Sequence, residues 1–169
     1  MRIGLLSDTH SYIDHKLEQF FFGVDQIWHA GDLGDIKVYD YLKSLSDVKL
    51  VYGNIDDSNV RQHFTESLIL EIEGMIILMI HIAGSLGNYN QLTRKLINEH
   101  KPNILVCGHS HILKIAFDHK YNLLYVNPGA YGIHGFHLVR TALRFEINSG
   151  NISKMEIFEQ PRKKIKIEN

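Results

Sequence analysis

Short apolar runs recur along the chain, and most of them stop at Gly, Asp, Asn or His: Arg2–Leu6, Gln26–His29, Lys49–Tyr52, Ile76–Ile80, Ile104–Cys107 and Leu123–Val126. They are apolar at both odd and even positions, which predicts strands buried on both faces. Segments with helical spacing separate several of them. Ile13–Phe22 ends at Gly23, a C-cap residue; Ile36–Leu45 carries Ile36, Tyr39, Leu42 and Leu45 on one side; Tyr89–His100 repeats Leu92, Leu96 and Ile97 and is closed by Pro102. The second half adds hairpin signals. Glu73-Gly74 joins Leu68–Ile72 to Met75–Ile80, Asp118-His119-Lys120 joins Ile112–Phe117 to Leu123–Val126, and Asn148-Ser149-Gly150-Asn151 joins Phe136–Ile147 to Ile152–Phe158. Helix–strand alternation followed by hairpins predicts an α/β fold of two packed mixed β-sheets flanked by helices. No repeat or linker divides it, so residues 1–169 read as a single domain.

The residues at the strand ends carry the chemistry. The first strand leads into Asp8-Thr9-His10, the second into Gly31-Asp32, the third into Gly53-Asn54, the fourth into His81, and the fifth into Gly108-His109-Ser110-His111. Ligand sites of open α/β sheets gather at the carboxyl ends of strands. The chain also holds eleven histidines, a large number for its length, and four of them sit at these strand ends. Carboxylate, amide oxygen and imidazole together suit first-row divalent ions. Asp8, His10, Asp32, Asn54, His81, His109 and His111 are too many donors for one such ion and about right for two that share a carboxylate. Two ions about 3.5–4 Å apart can hold a hydroxide and clamp the attacking and leaving oxygens of a displacement at phosphorus, so no Ser or Cys nucleophile is required.

The ordered set D-x-H, GD, GN, a lone His after a strand, and G-H-x-H resembles the calcineurin-like metallophosphoesterases. The spacing is similar to that of their small bacterial and archaeal phosphodiesterase branch, which also contains the retromer-type scaffold subunit. The likeness runs from Met1 through Asn127-Pro128-Gly129. It implies that Asp8, His10, Asp32 and His111 hold one metal ion and that Asp32, Asn54, His81 and His109 hold the other, with Asp32 as the bridge. It also implies hydrolysis of a small phosphodiester, with Mn²⁺ the first expectation and Ni²⁺, Fe²⁺ or Zn²⁺ compatible. Two positions depart from the family wording. Ile55 stands where many members carry a His that protonates the leaving group or contacts phosphate, which leaves Asp56 or a metal-held water for that task. His81-Ile82-Ala83-Gly84 replaces H-G-H and makes the adjoining pocket more apolar.

Charge and cysteine content narrow the remaining classes. A formal net charge of -1 over 169 residues gives no basis for bulk attraction to nucleic acid or to an anionic membrane. The basic tail Arg162, Lys163, Lys164 and Lys166 reads as a solvated end. Cys107 is the single cysteine, and the apolar start is interrupted by Asp8, so neither a disulfide nor a secretory signal is expected and the cytoplasm is the default. Homo-oligomers are common among relatives of this size. A non-catalytic scaffold that binds a protein partner is the rival reading, and the filled donor set argues against it. His29 reads equally as a residue orienting a ligand or as a buried His satisfied by backbone. His134 and His137 read either as lining the mouth of the pocket or, the preferred reading, as ordinary loop and strand residues; Cys107 reads as a small buried hydrophobe, and Tyr12, Tyr89 and Tyr131 as packing residues.

Overall fold

The computed structural model describes residues 1–162, and Lys163, Lys164 and Lys166 of the basic tail lie outside them. The first half runs β1 (Arg2–Leu6), α1 (His15–Phe20), β2 (Gln26–His29), α2 (Ile36–Leu45), β3 (Asp47–Leu50), α3 (Ser58–His63), β4 (Ser67–Ile72) and β5 (Met75–Ile80). The second half runs β6 (Gly84–Ser85), β7 (Asn88–Tyr89), α4 (Gln91–His100), β8 (Ile104–Val106), β9 (Leu113–Asp118), β10 (Leu123–Pro128), β11 (Val139–Asn148) and β12 (Asn151–Pro161).

Two five-stranded sheets form, in the orders β12-β11-β1-β2-β3 and β4-β5-β8-β10-β9, and both are mixed. In the first, β1, β2 and β3 are parallel while β11 and β12 run antiparallel. In the second, β5, β8 and β10 are parallel and the edge strands β4 and β9 antiparallel. The two-sided apolar strands of the sequence are explained by three hydrophobic layers. Ile3, Leu5, Trp28, Ile77, Met79, Ile104 and Val106 meet between the sheets. Their neighbours of opposite parity pack outward: Leu6 and Ile27 join Leu17, Val38, Leu42 and Val60 of α1, α2 and α3, and Leu78 and Leu105 join Ile97 of α4. Burying a strand on both faces removes its whole apolar surface from water, at about 25 cal/mol per Å².

Several boundaries differ from expectation, each for a local reason. Helix α1 starts two residues late, at His15, because Asp14 is its N-cap. Asn90 caps α4 by accepting from the Thr93 N–H at 2.8 Å, and Tyr89 belongs to β7 instead. Strand β3 begins at Asp47 rather than Lys49, since it lies at the edge and pairs with β2 from Gln26↔Asp47 to His29↔Leu50. Val51 and Tyr52 then peel off toward Thr65. Strand β11 begins at Val139, not Phe136, because the preceding residues form a loop with its own bonds to the strand-end residues. The six-residue α3, capped by Asp57, is too short to leave a periodic signal.

The Asp14 side chain makes no cap bond and serves a part-buried cluster. It accepts from Arg140 Nη2 at 3.0 Å, from the Tyr131 hydroxyl at 2.5 Å and from the Tyr12 hydroxyl at 2.9 Å. The Arg140 guanidinium lies over both tyrosine rings, 5.0 and 4.9 Å from their centroids. Burial pushes the Asp14 carboxyl up, but the two tyrosine hydroxyls and the Arg140 charge outweigh it and hold it below the usual range. The Tyr12 and Tyr131 packing expectations are met here, and Tyr89 packs likewise, donating to Asp118 at 2.7 Å. Asp14→Ala should cost about 2 kcal/mol, the scale of hydrogen bonds lost to a charged, part-buried group. Urea unfolding of the variant against the parent measures it.

Candidate metal centre

Parallel strands bring their carboxyl ends to one edge of each sheet, and the loops beyond them are stitched together. Asp8 N–H donates to Gly31 O at 2.9 Å, His10 N–H to Asp32 O at 3.1 Å, and Gly108 N–H to His81 O at 3.1 Å. Asp8, His10, Asp32, His109 and His111 all have left-handed backbone, with φ between 46° and 67°. That conformation costs a residue other than glycine roughly 1–2 kcal/mol. The five donor residues in this conformation are held in place by the surrounding bonds.

The seven sequence-predicted donors come together. Asp8, His10 and His111 each offer a ligand atom within 4.8 Å of the others, and Asp32, His81 and His109 do the same. Asp32 joins the two groups: Oδ1 lies 3.3 Å from His81 Nε2, and Oδ2 lies 3.8 Å from His10 Nε2. Asn54 Oδ1 sits 3.1 Å from His81 Nε2, and His10 Nε2 is 3.3 Å from His111 Nε2. Asp8, Asp32 and His81 are buried while Asn54 and His109 are exposed, so the centre has a closed floor and an open mouth.

Do these residues fit divalent ions? Asp8 Oδ1 is buried with no hydrogen-bonding partner among the described residues, though His111 Nε2 is 3.2 Å away. An orphaned carboxylate oxygen beside two imidazoles is costly unless a cation satisfies it. His81 Nδ1 is 2.8 Å from Ala30 O. A carbonyl only accepts, so Nδ1 carries the proton, and Nε2 of the neutral ring, beside the Asp32 and Asn54 oxygens, has its lone pair available to a cation. Burial would lower His81, but its contact with Asp32 and the charges of Asp8 and Asp32 reverse the direction and raise it. Burial would raise Asp32, and His81 with the Ile55 N–H brings it below the ordinary range. Burial lowers His10, partly offset by Asp32 and Asp8. A field that favours a proton on His81 favours a metal cation in its place.

Further residues shape the loops. Asp56 is 3% exposed and accepts from the Gly34 N–H at 2.8 Å and the Gly53 N–H at 2.7 Å, one through each oxygen. It thereby clips the Asp32 loop to the Asn54 loop. A Cβ on Gly53 would stand 2.0 Å from Asp32 Oδ1, so only glycine admits the carboxylate. His29 resolves as backbone support: Nδ1 accepts from the Gly31 N–H at 3.2 Å and Nε2–H donates to Thr9 Oγ at 2.9 Å, which passes on to Leu33 O at 3.0 Å. Asn127 Nδ2 donates to Gly108 O at 2.7 Å and to Ser110 Oγ at 3.1 Å, bracing the His109–His111 loop. Cys107 is buried and its thiol pushed up to about 12 by that burial, as expected of a small hydrophobe. Of the two readings of His137, the geometry favours the one beside the centre: its Nδ1 lies 3.3 Å from His111 Nδ1. The exposed His134 ring centroid lies 6.1 Å from that of His10. Only the spacing within Gly-x-x-Gly-x-His hinted at such a loop.

The sequence profile of the calcineurin-like phosphoesterase superfamily domain matches residues 1–150, and the chain belongs to that family. It is 35% identical over 137 residues to a probable metallophosphoesterase of Methanocaldococcus jannaschii, covering 77% of this chain and 68% of that protein. It is 23% identical over 145 residues to a phosphodiesterase of the same organism, covering 76% of this chain and 83% of the relative. In fold it is similar to the crystal structure of wild-type Vps29 from Entamoeba histolytica complexed with Zn²⁺, with a TM-score of 0.73, 18% identity, and coverage of 96% and 100% of the two chains. Two mixed sheets flanked by helices are thus the metallophosphoesterase α/β sandwich. No helix among the described residues is long and apolar enough to cross a membrane.

Burial lowers His29 to about 4. The unfolded chain, with His near 6.5, therefore takes this proton first, and stability should fall as pH drops from about 6.5 toward about 4, by at most about 1.4 kcal/mol per pH unit. Urea unfolding of metal-free protein at pH 7 and pH 5 measures the slope. His29→Gln, whose amide can serve both partners without titrating, should flatten it.

Proposed function

We propose that the chain is a phosphodiesterase of one domain that works with two divalent metal ions. Asp8, His10, Asp32 and His111 would hold one ion, and Asp32, Asn54, His81 and His109 the other. The observation that carries this reading is the divided carboxylate of Asp32, which faces both donor clusters at once. Such a pair of ions, when bound, supplies a water nucleophile at neutral pH and neutralises charge on the phosphoryl oxygens. The protein's own part is to fix the donors, with His81 locked in the Nε2-presenting tautomer by Ala30 O and Asp32 held by the Ile55 N–H at 3.1 Å. Asn54, exposed at the mouth, would also bind a phosphoryl oxygen through its amide. Mn²⁺ is the first candidate, with Ni²⁺, Fe²⁺ and Zn²⁺ suited to the same mixed N/O donors.

Preference for a diester rests on the surroundings of the donors. A cavity of about 400 Å³ opens beside His109, walled by Ile82, Ala83, Leu86, Ile112 and Tyr125, with Lys114 in its lining. Apolar walls accept the second ester substituent. A monoester dianion would call for more positive charge than the one lysine in this cavity's lining, Lys114, supplies. With both oxygens of Asp56 engaged by backbone amides, we assign the leaving-group proton to solvent water and read Asp56 as a positioning residue instead of the acid.

After chelation, restoring Mn²⁺, Ni²⁺ or Zn²⁺ should revive cleavage of bis-p-nitrophenyl phosphate well beyond that of p-nitrophenyl phosphate. Asp32→Ala and His109→Ala should each lose at least about a hundredfold in kcat/KM while keeping a native circular-dichroism spectrum, the scale of lost catalytic charge stabilisation. No turnover of either ester with any metal would turn the reading to a non-catalytic scaffold of this fold. Ile112→Glu, which places charge on the apolar wall, should raise KM for the diester about fivefold or more with little change in kcat, the mark of lost ground-state binding.

A further inference from the structure

Beyond the donors themselves, the loop Gly132–His137 is built onto the centre from two sides. At its start, the Tyr131 N–H donates to Ser7 O at 2.9 Å and the Gly132 N–H to Asp8 O at 2.9 Å, so the loop is pinned to the backbone that carries Asp8. At its end, His137 Nε2 is 3.0 Å from Gly132 O, and His137 Nδ1 is 3.3 Å from His111 Nδ1. The carbonyl can only accept, so His137 Nε2 bears a proton and its Nδ1 is the free acceptor of the neutral ring. His111 Nδ1–H donates to that acceptor, which leaves the lone pair of His111 on Nε2, the atom that faces Asp8 Oδ1 and His10. Gly135 permits the contact. Its φ is +112°, and a Cβ there would stand 2.5 Å from His111 Nδ1 and 3.2 Å from His137 Nδ1.

We propose that His137 is a positioning residue that selects the Nε2-ligating tautomer of His111 through the relay Gly132 O, His137, His111. On the other donor group, Ala30 O does the same for His81. The inference rests on the dinuclear metal reading, with His111 as a donor. A histidine partner, unlike a carbonyl, is supplied by a side chain and can be replaced without touching the backbone.

Divalent-ion binding of the full chain can be followed by Mn²⁺ titration with electron paramagnetic resonance and by Zn²⁺ competition with a chelating dye. The parent should bind two ions. His137→Ala should weaken one of them about 10- to 100-fold, the usual cost of losing a partner behind a metal-bound His, and leave the other near the parent value. His137→Gln, whose carbonyl can accept from His111 while its amide donates to Gly132 O, should recover most of the loss. In the Zn²⁺ form, long-range ¹H–¹⁵N spectra should show His111 protonated on Nδ1 in the parent and the Gln variant. Equal affinities in parent and His137→Ala, or a Gln variant as weak as Ala, would overturn the relay while leaving the metal centre intact. A parent that binds no divalent ion would overturn both.

Discussion

Asp32 presents one carboxylate oxygen to His81 and the other to His10, and much of the molecule serves to keep it doing so. Its backbone is held in the left-handed region, and its Oδ1 accepts from the Ile55 N–H. Gly53 must lack a side chain for the carboxylate to fit. The Asp56 clip between Gly34 and Gly53 sets the spacing of the two loops that converge there. A carboxylate that is 2% exposed and shared by two imidazoles is costly to bury, and only a convergent positive charge compensates it.

The same restraint on charge runs through the rest of the centre. Asp8 lies beneath the His10 and His111 rings with one oxygen bonded to the His109 N–H and the other unpartnered among the described residues. Arg61 donates to the carbonyls of Gly53 and Asn54, and three neutral side chains brace other donor loops. His29 reaches Gly31 and Thr9, Asn127 reaches Gly108 and Ser110, and His137 reaches His111. Each of these three ties a donor loop through hydrogen bonds without adding a competing cation. The Arg140–Asp14 cluster keeps its full charges on the far side of Tyr131, whose N–H anchors the Gly132–His137 loop to the first strand's end.

Fold alone does not distinguish an esterase from a scaffold, since one architecture can carry unrelated functions. What this chain adds to the fold is seven donor-type residues converging at one edge, with Asp8 Oδ1 buried and unpartnered among the described residues. Ile55 sets an exposed apolar side chain where many members carry His, and Ile82 sets one where the family wording has Gly.

Strands and donors were legible in the amino-acid order. Two-sided apolar runs ending in Asp, Asn, Gly or His need no partner information to be seen, because burial on both faces and chemistry at strand ends are each written locally. Helix α2 was readable to the residue for the same reason, with its cap at Asp35. Short or context-dependent pieces were not: α3 has six residues, β3 slides two residues to match β2, and Gly132–His137 resembles the start of a strand until its bonds to Asp8 and His111 are known. It took the packed fold to make Asp56 a clip, to turn His29 toward backbone, and to stand His137 behind His111. A side chain's task depends on which atoms lie within hydrogen-bond reach, and residues 101 or 26 positions apart, such as His10 and His137 from His111, meet only when the sheets have packed.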